Sequence, residues 1–191
     1  SINKGNLNNR HNYTKFYHAL FHNICSEKLC FFEVGIGSIN ENHPFNMKST
    51  DSNYVPLASL KAWEEYFYNS EIYGADIDET LVQAIGRIKT FHVDMTKKDS
   101  IINMWKKVKK KMDIIIDDGF HSFEANVNFF NYSYDKLNKN GYYIIEDVHR
   151  NPRNIKNFSN FFKKLDINFQ IIDLHHSNNV RDNCLILIKN D

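Results

Sequence analysis

The stretch IIIDDGFHSF, residues 114–123, ends an apolar run with two adjacent carboxylates, Asp117 and Asp118, then a glycine and, three residues after the second acid, His121. A β-branched run cut off by charge and glycine reads as a buried parallel strand emerging at its carboxyl end. Open α/β sheets hold their ligands at that edge. The motif has counterparts along the chain. FFEVGIGS sets Glu33, Gly35 and Gly37 at a turn, EIYGADID ends in Asp76 and Asp78, TFHVDM carries Asp94, and GYYIIEDV ends in Glu146 and Asp147. Strand-end carboxylates can accept hydrogen bonds from ligand hydroxyls, and glycines let a ligand approach the backbone. Asp76, Asp78 and Asp94 also suit helix caps and turns. Asp117 either caps the next helix or braces a site, and His149 is either ligand-facing or structural. A dinucleotide turn wants G-x-G-x-x-G opening directly into a helix. Here Asn40 stands at the third glycine position and a long loop follows, which argues against a dehydrogenase.

These residues need strands to carry them. Apolar runs at 30–37, 71–78, 90–95, 112–119, 141–148, 168–174 and 184–190 predict seven strands. Helix-patterned segments fall at about 13–25, 57–69, 79–87, 99–111, 122–138 and 153–165. The alternation predicts an α/β fold, a Rossmann-like doubly wound, mostly parallel sheet with helices on both faces. HHSNNVRD, between the last two strands, is too short for a crossover helix and predicts a C-terminal antiparallel hairpin. One domain over 1–191 is expected, with an N-terminal arm and helix at 1–28 and a lid or substrate loop at 38–56.

Composition narrows the functions. Lys+Arg 24 against Asp+Glu 23 leaves a net charge of +1, so no global field favours nucleic acid or an anionic membrane. The basic run WKKVKKKMD reads as a solvated helix end complementing the helix dipole. Three cysteines without C-x-x-C spacing argue against a disulfide framework or a zinc site. No segment approaches the roughly 18 apolar residues of a bilayer span. A cytoplasmic protein and a small-molecule partner are expected, homo-oligomerisation being open.

E-x-G-x-G followed by acids at the ends of the next two strands resembles class I S-adenosylmethionine-dependent methyltransferases. DIIIDDGFHSFEANVNFFNYSYDKLNKNGYYIIEDV, with NKGN and HNYTKFY near the start and ASLKAWEEYFYNSEIYGADID between, resembles the macrocin and mycinamicin type of sugar O-methyltransferases over residues 3–148. The resemblance implies that Glu33, Gly35 and Gly37 line the S-adenosylmethionine cleft, that Asp76 holds the ribose, and that Asp94 sits near the adenine; Ser59, and Tyr13 and Tyr17 of the N-terminal arm, are further candidate cofactor contacts. It implies that Asp118, Glu146 and Asp147 bind a divalent ion, usually magnesium, and that His121 is the general base. Phe120 departs from the commoner serine, and a catalytic core without the macrolide enzymes' extra N-terminal domain is expected. The expected acceptor is therefore a nucleotide-linked sugar for a surface polysaccharide, or a sugar on a glycosylated natural product.

The chemistry is consistent with that. An alcohol is a poor nucleophile at neutral pH, so methylating it calls for a base, a Lewis acid or both. Oxygen ligands from two neighbouring strand ends suit Mg²⁺. A neutral His121, three residues beyond Asp118, is placed to take the proton. Three alternatives remain: methylation of another small hydroxyl compound, a metal-dependent hydroxylase, and a noncatalytic S-adenosylmethionine-binding subunit.

Overall fold

The computed structural model describes residues 11–43, 46–49, 51–174 and 181–191. NKGN at 3–6, part of the 38–56 loop, and His175 and His176 lie outside them. The chain forms α1 (Tyr13–Phe21), β1 (Cys30–Val34), α2 (Ala58–Tyr66), β2 (Glu71–Asp76), β3 (Ala84–Ile85), β4 (Ile88–His92), α3 (Lys98–Val108), β5 (Met112–Asp117), α4 (Phe123–Ser133), β6 (Leu137–Ile145), α5 (Pro152–Lys164), β7 (Phe169–Asp173) and β8 (Cys184–Lys189). One 8-stranded sheet runs in the order β3-β4-β2-β1-β5-β6-β8-β7. β4, β2, β1, β5 and β6 pair in parallel, and β8 lies antiparallel between β6 and β7. The expected fold and terminal hairpin are present.

The eighth strand corrects the sequence reading, which placed a helix over 79–87. Only a single 3-10 turn forms at Glu79–Leu81, with the Asp78 carboxylate accepting from Thr80 N. Gly86, at φ +57°, then turns the chain back so that β3 pairs antiparallel with β4. The Thr90 hydroxyl accepts from Gln83 N and closes this hairpin. Leu81, Val82 and Ile85 look amphipathic in sequence, but a glycine that adopts a left-handed conformation suits a tight turn better than a helix interior.

Helices cover both faces, and the two-residue period of each strand sorts its side chains between them. Phe32, Val34, Ile115, Tyr143 and Ile145 join the core under α3, α4 and α5. Phe31, Ile114, Ile116 and Ile144 join the core under α1 and α2. Continuing the alternation past the strand ends sends Glu33, Asp118 and Glu146 to the α1/α2 side. Asp117 goes to the α4 side.

No helix among the described residues is long and apolar enough to cross a membrane.

Candidate functional site

Register brings the acids together. Val34 pairs with both Ala75 and Asp117, and Asp117 pairs with Ile145, so β2, β1, β5 and β6 end side by side. The ladder runs one residue further: Gly35 N donates to the Ala75 carbonyl, Asp118 N to that of Val34 and Glu146 N to that of Asp117, all at 2.9–3.0 Å. At this edge one ligand atom each from Asp118, His121 and Asp147 lie within 4.8 Å of one another. Glu33, Asp118 and Glu146 form a second such group, so Asp118 belongs to both. In the first group His121 is exposed and Asp118 and Asp147 are partly buried, while Glu33 and Glu146 are buried. His121 and Asp147 sit at φ +53°, a left-handed conformation that costs a non-glycine residue energy and marks a backbone held by its surroundings. His121 Nε2 is 3.8 Å from Asp147 Oδ2.

Sequence reasoning missed His11 and Asp182, and it read Tyr17 only as a cover over the cofactor. The Tyr17 hydroxyl donates to Glu146 Oε1 at 2.5 Å. The Tyr13 hydroxyl donates to Asp147 Oδ1 at 2.6 Å, accepts from Asp147 N at 3.3 Å and lies 3.0 Å from the Asp182 carbonyl oxygen. Tyr13, a candidate cofactor contact in the sequence, gives its hydroxyl to Asp147, two residues past the end of β6. Burial raises both phenols above their ordinary range, joined by the charges of Asp147 and Glu146 at Tyr13 and by that of Glu146 at Tyr17. His11 stacks on Tyr13 and lies 3.6 Å from Asp147 Oδ1 and 3.4 Å from Asp182 Oδ1. Burial alone would lower the His11 pKa, but the hydrogen bond to Asp182 and the charges of Asp147, Asp182 and Asp118 raise it. Burial and the neighbouring Glu146 push the Asp147 carboxyl up, against the two imidazoles. The one signal for His11 was HNYTKFY itself, which also holds Tyr13 and Tyr17.

The residues assigned to the cofactor lie along the same edge, around β1 and β2. Gly35 and Gly37, at φ +85° and +82°, do adopt conformations reserved for glycine. In this structure protein atoms take up the space they leave. A Cβ on Gly35 would lie 2.0 Å from the Asp118 carbonyl oxygen, and one on Gly37 would lie 2.0 Å from the Tyr54 hydroxyl. Gly35→Ala should therefore destabilise the protein by about 3 kcal/mol or more in urea unfolding and displace Asp118. An unchanged unfolding midpoint would contradict this packing. Asp76 is buried, with Oδ2 accepting from Ile36 N at 2.9 Å and Oδ1 from Asp78 N at 3.1 Å, so it ties β2 to the glycine turn. Burial raises its carboxyl despite these bonds. Ser59 is half-buried in the first turn of α2. Asp94 accepts from Thr96 and pairs with Lys97 at 2.9 Å; against its partial burial, these contacts hold its carboxyl below the usual range. This is the turn-forming role kept open for it above.

Asp117 does not cap α4; Ser122 does, accepting from Ala125 N. Instead Asp117 is fully buried and its carboxyl is pushed up to about 7 by desolvation, the Asn126 amide and the His121 charge opposing. An unfolded aspartate titrates near ~3.9. The native state thus binds the extra proton between about 4 and about 7, and the stability this provides is lost as pH rises through about 7. In chelator, the thermal midpoint should fall from pH ~5 to ~8, and Asp117→Asn should flatten that slope. Equal slopes in both proteins would refute it.

No family model matches the chain. The fold is that of class I S-adenosylmethionine-dependent methyltransferases. It superimposes on MycE methyltransferase from the mycinamycin biosynthetic pathway, in complex with Mg, SAH and mycinamycin VI, with TM-score 0.65 and 23% identity, covering 94% of this chain and 50% of that one. Over 138 residues, 72% of this chain, it is 27% identical to 8-demethyl-8-alpha-L-rhamnosyl tetracenomycin-C 2'-O-methyltransferase of Streptomyces olivaceus, of which it covers 33%. It is 28% identical over the same length to demethylmacrocin O-methyltransferase of Streptomyces fradiae, covering 32%. The chain thus spans about a third of the length of these curated relatives.

Proposed function

We propose that this chain is a methyltransferase domain that moves the S-adenosylmethionine methyl group to a sugar hydroxyl with the help of Mg²⁺. The observation that carries the reading is the meeting of Asp118, His121 and Asp147 at the ligand edge of a methyltransferase sheet. The chemistry of the donor set fits the ion. The buried carboxylates Glu33 and Glu146 approach Asp118 within 4.8 Å, a repulsive arrangement that a divalent cation relieves. Asp118, Glu146 and Asp147 would hold the cation, which supplies Lewis acidity toward a bound hydroxyl. His121, its side chain 37% exposed at the rim beside Asp147, takes the hydroxyl proton. In this reading Gly35, Gly37, Ser59, Asp76 and Asp94 would contact the cofactor, with Glu33 shared with the acid cluster. Ile77, 49% exposed between buried Asp76 and Asp78, offers the purine an apolar face.

Phe120, 44% exposed and one residue before His121, is compatible with a sugar acceptor, whose apolar face can lie on an aromatic ring. The curated relatives, named for methylation of glycosylated natural products, support the same class. A nucleotide-linked sugar is the finer proposal. The test is methyl transfer from labelled S-adenosylmethionine to a panel of nucleotide sugars, glycosides and catechols, with Mg²⁺ and with chelator. Labelling of a sugar only when Mg²⁺ is present is the expected result. Labelling of catechols alone would overturn the sugar assignment.

A further inference from the structure

We propose that Tyr13 and Tyr17 set the cation selectivity of the acid cluster, making it prefer Mg²⁺ over Ca²⁺; this rests on the reading of Asp118, Glu146 and Asp147 as the metal site. The two tyrosines stand four residues apart on α1, so they project from one face of the helix. Each hydroxyl engages one oxygen of one acid: Tyr17 that of Glu146 Oε1 and Tyr13 that of Asp147 Oδ1. Neither can swing away. Tyr17 packs edge-on against Trp63 at 5.1 Å and stacks on Phe21 at 5.9 Å. Tyr13 also holds the Asp147 backbone, accepting from its N–H. The start of α1 is anchored to the connection before β8, where Asn183 Nδ2 donates to Asn12 Oδ1 at 2.8 Å and Asn12 N donates back to Asn183 Oδ1 at 3.4 Å. Tyr13 and Tyr17 are both buried.

The consequence is geometric. With Oδ1 committed to Tyr13, Asp147 presents Oδ2, the oxygen facing His121, to the centre of the cluster. With Oε1 committed to Tyr17, Glu146 is limited in the same way. Each acid thus has one oxygen already accepting a phenol hydrogen bond in a stiff frame, which disfavours contact with a cation through both oxygens. Mg²⁺ demands near-ideal octahedral geometry at short distances and suits single-oxygen contacts, whereas Ca²⁺ takes six to eight oxygens and readily uses both of a carboxylate. Groups that orient ligands typically change metal affinity by about 10–100-fold when removed.

The experiment is calorimetric titration of Mg²⁺ and, separately, Ca²⁺ into the wild-type protein, Tyr13→Phe, Tyr17→Phe and the double variant. S-adenosylmethionine affinity and the circular dichroism spectrum are followed alongside. These substitutions remove only the hydroxyls. In the double variant the Mg²⁺ dissociation constant should rise at least about tenfold while that of Ca²⁺ rises less than about threefold, with cofactor affinity retained. Equal weakening of both ions would make the tyrosines mere supports and overturn the selectivity claim, as would unchanged affinities for both. A wild-type protein that binds neither ion would overturn the metal site itself, and so separates that failure from this one. If the double variant does not fold, Tyr13→Phe alone carries the test through the same ratio.

Discussion

Asp118→Asn should lower the methyl-transfer rate by about 10³-fold and abolish its response to Mg²⁺, with the fold intact. Asp118 is the residue common to both acid groups, so its charge is the one whose loss each of them feels. Its backbone is fixed independently: the N–H donates to Val34 and the carbonyl packs against Gly35, so an isosteric amide should stay in place. A Lewis acid supplies several kcal/mol of charge stabilisation, and each 1.36 kcal/mol is a factor of ten in rate. The check is initial rates across a Mg²⁺ series for both proteins, beside urea unfolding. A variant within about tenfold of wild type would remove Asp118 from the chemistry.

His121→Asn is expected to cost about 10²–10⁴ in kcat, the usual worth of a positioned base, with little change in S-adenosylmethionine affinity. Asparagine is chosen because the position sits at φ +53°, which asparagine tolerates better than most residues. His121 reaches the site from the turn between β5 and α4, and its contact with Asp147 at 3.8 Å is an orientation more than a strong bond. Added imidazole should restore part of the lost rate, which a merely structural histidine would not allow. A variant that turns over normally would shift attention to His11, the other imidazole against Asp147.

The sheet and its ligand edge were legible because both depend on local pattern. Three isoleucines followed by two aspartates announce a buried strand and its end, and the same period explains why Asp118 and Asp117 part to opposite faces. The 79–87 segment misled because its apolar spacing fits a helix and only the conformation of Gly86 decides for a hairpin. The support around the acids was not legible. Tyr13 and Asp147 lie 134 positions apart, and His11 and Asp182 lie 171 apart, so their meeting is a property of the packed fold. Glu33 likewise reads as part of a glycine turn in sequence, while strand register also brings it to Asp118 and Glu146.

The most direct test of the central claim is calorimetric titration of S-adenosylmethionine into the purified protein, with and without Mg²⁺, repeated on Asp76→Ala. Binding by the wild-type protein that is lost in the variant, where the carboxylate linking β2 to the glycine turn is gone, is the predicted result. Absence of binding by the wild-type protein under either condition would contradict the methyltransferase reading.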